Sequence, residues 1–170
     1  MKIGILKEIV DGENRVAITP EIVKKLIQMK CQVFIEKDAG VKAHISDQAF
    51  INEGAIVESK SKVIDTEIIL KVRAPSHDEI KSLKKDTIII GLLEPFNYPL
   101  KEIMANQGLT CFALEALPRN SRAQSMDVLS SQANISGYKS ILLATQFYKK
   151  FMPMLMTAAG TVKAARVLVL

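Results

Sequence analysis

Short apolar runs alternate with segments of helical periodicity along the first 114 residues of the chain. The runs have the composition of buried strands and lie at 3–6, 32–35, 55–57, 67–72, 87–93 and 109–114. Helical spacing of apolar residues, with a capping serine such as Ser46 or a leading proline such as Pro20, is found at 19–27, 46–54, 77–84 and 99–106. Strands and helices that alternate at this pitch predict right-handed crossovers and an α/β fold with a doubly wound parallel sheet.

A different pattern begins near Ser125. Residues 125–149 contain no helix breaker except Gly137, and their apolar and small residues recur every three or four positions, which predicts one long helix with a broad apolar face. A turn rich in small residues follows at 157–161, and the last residues have the composition of a buried parallel strand. We therefore expect a Rossmann-like or flavodoxin-like domain at 1–125, a linking helix and connection at 126–162, and the first strand of a second domain at 163–170.

Composition narrows the class of protein. Hydrophobic residues make up 48% of the chain and Trp is absent, which suits a parallel sheet of aliphatic residues covered by helices. The net charge of +5 is the balance of 23 basic and 18 acidic residues. The basic residues occur in scattered pairs with acids between them, so we expect no nucleic-acid partner. No signal peptide or bilayer-length apolar segment is visible, and the two cysteines lack metal-ligand spacing. These features indicate a cytoplasmic protein with buried, reduced thiols and no direct membrane insertion.

A polar run follows the sixth predicted strand and enters the long helix. Ligands of open parallel sheets collect at the carboxyl ends of the strands, where this run would lie. Its guanidinium, amide, carboxylate and hydroxyl groups suit a phosphate, a ribose or an amide. Helix capping is the alternative, and it explains one acid and one serine but not four polar positions over two helical turns. The residues alone leave both interpretations open for Arg119, Asn120, Ser121, Arg122, Gln124, Asp127 and Ser130.

Two further polar segments are weaker candidates. Lys71 and Arg73 follow the fourth predicted strand, and their spacing favours a snorkelling lysine and an edge arginine. Glu13 and Arg15 lie in a loop before the first helix, where turn formation is the favoured interpretation. The two histidines are isolated from each other and from cysteines, so no metal site is predicted, and no glycine-rich phosphate loop is present.

Four blocks of sequence resemble a known pair of families. Residues 12–20 and 70–75 are similar to signatures shared by alanine dehydrogenases and pyridine nucleotide transhydrogenases, whereas 122–138 and 154–162 resemble the transhydrogenase version. Alanine dehydrogenases carry a catalytic histidine just after the fifth strand, and residues 91–98 contain none. The chain is therefore identified as similar to the NAD(H)-binding alpha subunit of proton-translocating NAD(P) transhydrogenase.

The resemblance implies a cofactor and a set of site residues. NAD(H) would lie in a cleft between two Rossmann-like domains and exchange hydride directly with NADP(H), which a partner subunit binds. Positioning suffices for that step, so no catalytic acid or base is expected. Family positions near the nicotinamide and its ribose correspond to Arg119, Gln124, Asp127 and Ser130, with Asn120, Ser121 and Arg122 as their neighbours. Arg15 and Lys71 match substrate positions of alanine dehydrogenases.

The resemblance also implies partners. We expect a homodimer that docks on the membrane and NADP(H)-binding subunits of the transhydrogenase, cytoplasmic and peripheral to the inner membrane. The glycine-rich turn that binds the cofactor's pyrophosphate in this family would follow the last residue, so the chain alone is expected to be inactive and to bind NAD too weakly for calorimetry. The alternatives are an alanine dehydrogenase-like oxidoreductase and a non-catalytic, truncated assembly or dimerisation module.

Overall fold

The computed structural model describes residues 1–169 and divides the chain into two compact units. The first unit spans Met1–Met126 and the second begins at Asp127.

The first unit is built on a six-stranded parallel sheet with helices in the crossovers, so the predicted fold class is confirmed. The strands are β1 (Lys2–Ile5), β2 (Gln32–Glu36), β3 (Ile56–Glu58), β4 (Ile68–Leu70), β5 (Ile88–Gly91) and β6 (Thr110–Ala113), in the order β3-β2-β1-β4-β5-β6. The helices are α1 (Pro20–Gln28), α2 (Asp47–Asn52), α3 (Lys60–Ile64), α4 (His77–Ser82) and α5 (Tyr98–Asn106). The strand order runs outward in both directions from the β1–β4 pair, which makes this pair the topological switch point of the sheet.

The core lies along the central strands. Ile5, Val33, Ile35, Ile69 and Ile89 are each fully buried, as expected for strands covered on both faces. The thiol prediction was only half right, because Cys31 is buried but Cys111 on the edge strand β6 is exposed; both are free cysteines.

Two glycines let backbone segments approach closely around the sheet. A Cβ on Gly4 would collide with Thr66 Oγ1 and would lie 2.7 Å from Val63 O, so glycine allows α3 and β4 to pack against β1. A Cβ on Gly91 would collide with Lys71 O, where β5 lies against the end of β4. These residues therefore set the spacing of the carboxyl edge at the switch point.

Local capping follows the sequence for most helices. Ser46 caps α2 by accepting a hydrogen bond from Ala49 N, and Ser76 and Glu79 form a reciprocal capping box on α4. Thr19 stands at the N-cap of α1, but its side chain makes no capping hydrogen bond. Helix α3 has five residues and was not predicted, because so short a segment shows no apolar periodicity.

The second unit contains the long helix α6 (Val128–Phe147), followed by an antiparallel hairpin of β7 (Leu155–Thr157) and β8 (Gly160–Val162). The helix is shorter than predicted at both ends, because Gln124–Met126 forms a separate 3-10 turn and Asp127 takes the N-cap position. The hairpin replaces the simple connection that the small residues at 157–161 suggested. Apolar side chains along α6 are exposed, including Ile135, Tyr138 and Phe147.

The strand predicted at 163–170 is not formed between 163 and 169, and Leu170 lies outside the described residues. A parallel strand takes its backbone hydrogen bonds from neighbouring strands, and no other described strand pairs with this segment. Its assignment to a second nucleotide-binding domain stays a prediction. Within residues 1–169, no helix is both long enough and apolar enough to cross a membrane.

Candidate functional site

The polar run begins at the carboxyl end of β6 and is anchored by one buried residue. After a 3-10 turn at Leu114–Ala116, the chain turns at Asn120, whose Oδ1 accepts a hydrogen bond from Ala123 N at 3.0 Å. Ala123 is buried, and its carbonyl accepts a hydrogen bond from Met126 N at 2.8 Å. This anchor places Asn120 in a structural role and fixes the backbone that carries its neighbours.

The neighbouring side chains of the run are exposed. The side chains of Arg119, Ser121, Arg122 and Gln124 form no hydrogen bond or ion pair with another residue in the part of the chain that the structure describes. Their guanidinium, hydroxyl and amide groups are therefore available to a ligand. Sequence reasoning selected these residues as cofactor-binding candidates, and that role stays a prediction.

Asp127 and Ser130 are engaged with each other at the start of α6. Asp127 Oδ1 accepts a hydrogen bond from Ser130 N at 3.0 Å, and Asp127 Oδ2 accepts one from Ser130 Oγ at 2.6 Å. Ser131 Oγ donates to Asp127 O at 3.3 Å. The polar face consists of Asp127, Ser130, Ser131 and Asn134, and helix capping thus explains the first three of these four positions, more than the sequence suggested. These residues belong to the second unit, whereas Arg119 to Gln124 belong to the first.

A second set of charged residues lies at the carboxyl ends of β1 and β4. We call it the ion cluster, and it consists of Glu8, Glu13, Arg15, Lys60, Lys71, Arg73 and Glu79. It stands at the switch point, where ligands of open α/β sheets usually bind. In this protein the chain's own carboxylates and cations fill that position.

Lys71 is the centre of one half of the ion cluster. Its side chain is 1% exposed, and its Nζ lies 3.0 Å from Glu79 Oε2 and 3.9 Å from Glu8 Oε2. Glu79 also pairs with Lys60 at 2.9 Å, and Glu8 accepts the backbone N–H of Val72 at 2.6 Å. The interpretation of Lys71 as a snorkelling side chain was therefore wrong, because the carboxylates that neutralise it are buried with it.

Glu13 is the centre of the other half. Arg15 donates to it from Nε at 2.7 Å and from a terminal nitrogen at 2.6 Å, and Arg73 Nε donates at 2.9 Å. The Glu13 side chain is 4% exposed, whereas those of Arg15 and Arg73 are 39% and 48% exposed. The loop predicted as a simple turn therefore carries a buried carboxylate that holds two half-exposed guanidinium groups.

The pKa values of the three acids in the ion cluster shift in different directions. Hydrogen bonds from the Arg15 side chain lower the pKa of Glu13 to about 2, and Arg73 adds to this effect. Burial raises the pKa of Glu8, and the nearby Lys71 charge offsets only part of that rise. Burial also acts to raise the pKa of Glu79, but the Ser76 backbone N–H, Lys71 and Lys60 outweigh it, so the net shift is downward.

The pKa of Glu13 predicts a loss of stability in acid. Since its folded pKa of about 2 lies below the ordinary value of 4.5, the ionised carboxylate stabilises the fold above pH 4.5. This contribution should be lost as the pH falls from 4.5 towards 2. We expect it to be about 1–2 kcal/mol, because the half-exposed arginines are screened by solvent. The measurement is the free energy of unfolding in urea from pH 7 to pH 3 for the wild type and for Glu13→Gln.

The difference between the two proteins isolates Glu13 from the other acids. Glu8 acts with the opposite sign, because a raised pKa costs stability above pH 4.5, but most of this contribution is common to both proteins, since the Glu13 charge is the smallest of its causes. The difference should shrink below pH 4.5. A difference that stays constant down to pH 3 would contradict the assigned pKa.

Sequence reasoning singled out Glu13 but missed Glu8 and Glu79, the other two acids of the ion cluster. Ser76 and Glu79 have the spacing of a capping box, so the sequence carried a local signal that Glu79 lies in the first turn of a helix. No local signal exists for the pairing of Glu8 with Lys71, since the two residues follow the ends of different strands, β1 and β4. Within residues 1–169, no group of three or more His, Cys, Asp or Glu side chains could hold a metal ion.

Comparison with known proteins shows the family to which the chain belongs. Residues 4–136 match the family model described as "Alanine dehydrogenase/PNT, N-terminal domain". The chain is 41% identical over 177 residues to the first part of the NAD(P) transhydrogenase alpha subunit of Rhodospirillum rubrum, covering 99% of this chain and 46% of the relative. It is 33% identical over 153 residues to the alanine dehydrogenase of Staphylococcus haemolyticus, covering 89% and 40%.

A solved structure agrees. The crystal structure of transhydrogenase from Sinorhizobium meliloti matches with a TM-score of 0.90 and 43% identity, over 97% of this chain and 50% of that chain. The chain thus spans about half the length of the transhydrogenase relatives that it matches.

Proposed function

Because the chain belongs to the alanine dehydrogenase/PNT family, we propose that it is part of the NAD(H)-binding alpha subunit of an NAD(P) transhydrogenase. Its task is to position the nicotinamide of NAD(H) for direct hydride transfer to or from NADP(H), coupled to proton translocation by the complex. The observation that carries this proposal is the set of exposed, unengaged donors at Arg119, Arg122 and Gln124, at the carboxyl edge of the sheet.

The residues present fit a nicotinamide end. Arg119 presents a planar guanidinium that stacks on or hydrogen-bonds to a ring carboxamide, and Gln124 offers both a donor and an acceptor. Asp127 and Ser130 would meet the ribose, which requires that they give up part of their mutual hydrogen bonding. The cofactor itself supplies the hydride chemistry, so the side chains of this chain hold and orient it and exclude water.

The absence of an acid or base supports transfer between two nucleotides rather than reduction of a carbonyl. The loop after β5, residues 91–98, contains no histidine. A carbonyl substrate needs proton transfer at its oxygen, whereas direct hydride transfer between nicotinamide rings does not. NADP(H) is bound by a partner subunit in this proposal. The homodimer, the docking on a membrane complex, and the cytoplasmic location peripheral to the inner membrane belong to the same proposal.

An alanine dehydrogenase-like activity is the second candidate, and the Staphylococcus haemolyticus relative favours it. It requires cations that hold a substrate carboxylate. Lys71 is buried between Glu79 and Glu8, and Arg15 is bound to Glu13, so neither cation lacks a carboxylate partner. This arrangement favours the transhydrogenase role.

The test is the Gln124→Ala variant in the assembled transhydrogenase. We expect kcat/KM for hydride transfer from NADH to an NADP analogue to fall by about 10–100-fold, since a misplaced nicotinamide loses orientation. The matched control is Gln28→Ala, an exposed glutamine at the end of α1. Transfer that is unaffected by Gln124→Ala, or alanine-dependent NAD reduction by the wild type, would contradict the proposal.

A further inference from the structure

Glu115 joins the two loops at the carboxyl ends of β5 and β6. It lies in the 3-10 turn Leu114–Ala116, directly after β6 and four residues before Arg119. Its Oε1 accepts a hydrogen bond at 2.7 Å from the backbone N–H of Glu94, in the loop that follows β5. The carbonyl oxygen of Glu94 in turn accepts a hydrogen bond at 2.8 Å from the backbone N–H of Asn97. Glu115 therefore ties the β5 loop to the start of the polar run.

The second oxygen of Glu115 has a different environment. Oε2 is shielded from solvent and has no hydrogen-bond partner among residues 1–169. A buried carboxylate oxygen is costly unless it accepts a hydrogen bond, so such an atom in a folded protein points to a partner from outside the chain. An ionised carboxylate is an acceptor only, and that partner must be a donor.

We propose that Glu115 is a further binding and specificity residue of the nicotinamide site, whose Oε2 accepts a hydrogen bond from the N–H of the ligand's carboxamide. The inference rests on the proposed function and deepens it. The carboxamide distinguishes nicotinamide nucleotides from their nicotinic acid counterparts, which carry a carboxylate at the same position. Glu115 selects the amide, because a second carboxylate facing Oε2 would have no proton to donate and would be repelled.

Several observations favour a neutral donor over a cation. The described residues offer no further acids that would complete a metal site with Glu115 and Glu94. Lys101, the cation of the adjacent helix α5, is placed over the Tyr98 ring at 5.7 Å and is not bonded to Glu115. The exposed donors of Arg119 and Gln124 follow Glu115 along the chain, within the same compact unit Met1–Met126.

The experiment compares two small probes on the 15N-labelled full chain by NMR titration. The probes are nicotinamide mononucleotide and nicotinic acid mononucleotide, which differ only in the amide. The variant is Glu115→Gln, which keeps an acceptor for the Glu94 N–H but places an NH2 donor where Oε2 was. The matched control is Glu102→Gln, an exposed glutamate on α5 that makes the same change in net charge. Thermal unfolding of each protein checks that the fold is retained.

The wild type and the Glu102→Gln control should bind the nicotinamide form at least about tenfold more tightly than the acid form, with shifts at the amides of Glu94 and of residues 119–124. Glu115→Gln should lose or reverse this preference at an unchanged melting temperature. Equal weakening of both probes, or an unchanged preference, overturns the role of Glu115 while leaving the proposed function in place. If neither probe shifts residues 119–124 of the wild type, both proposals fail.

Discussion

Replacing Lys71 with methionine is expected to destabilise the protein by about 3–5 kcal/mol at neutral pH. The substitution keeps most of the side-chain volume but removes the cation that faces two buried carboxylates. Glu79 retains Lys60 and the Ser76 N–H, whereas Glu8 loses the buried Lys71 cation and keeps the backbone donors of Val72 and Arg73. The measurement is the free energy of unfolding in urea, followed by circular dichroism.

A matched control separates this effect from a general loss of positive charge. Lys62 pairs with Glu58 at the surface and is 65% exposed, so Lys62→Met should cost less than about 1 kcal/mol. Adding Glu8→Gln to Lys71→Met should recover part of the loss, since it removes the uncompensated charge. A cost below about 1 kcal/mol for Lys71→Met would show that the ion cluster is not a buried unit.

Replacing Phe50 with alanine should cost about 3–5 kcal/mol of stability. Phe50 is fully buried in α2, within the core cluster that includes Val23, Val33 and Ile35. Its ring also packs closely on Gly40, where a Cβ would lie 2.7 Å from Phe50 Cε2. Replacing the ring with a methyl group therefore leaves a cavity. The backbone at Gly40 is already closely packed and cannot move in to fill it. Urea unfolding of the variant measures the loss.

The matched control for Phe50 is Phe96→Ala, in the loop after β5. Phe96 is 83% exposed, so its removal should change the free energy of unfolding by less than about 0.5 kcal/mol. A similar loss for the two variants would mean that the burial of Phe50 does not account for its contribution.

The strand and helix alternation was readable from the sequence because its signal is local. A parallel strand buried on both faces must be apolar at nearly every position, as in Ile88–Gly91, whatever the rest of the chain does. Capping works in the same way, since Ser46 and Ser76 bond to amides three residues away. The polar run was visible for the same reason, because six of the seven consecutive residues 119–125 are polar.

The predictions that were wrong concern elements and side chains whose structure depends on residues distant in the sequence. The strand predicted at 163–170 has the right composition but, over 163–169, no strand beside it to complete its hydrogen bonds. The hairpin of β7 and β8 was missed because short antiparallel strands of three residues carry little alternation. Lys71 was misjudged since nothing near it in the chain shows that Glu8 would face it.

The sequence by itself determined the parallel α/β architecture, the membership in the alanine dehydrogenase/PNT family and the position of the polar run with Arg119, Arg122 and Gln124. Each of these is encoded in contiguous residues, by composition, spacing or short signatures. Only the tertiary structure decided that the switch point is filled by the ion cluster and that one oxygen of Glu115 is buried without a partner among residues 1–169. Those properties arise from distance and solvent exclusion, and both are set by how the folded chain brings separate segments together.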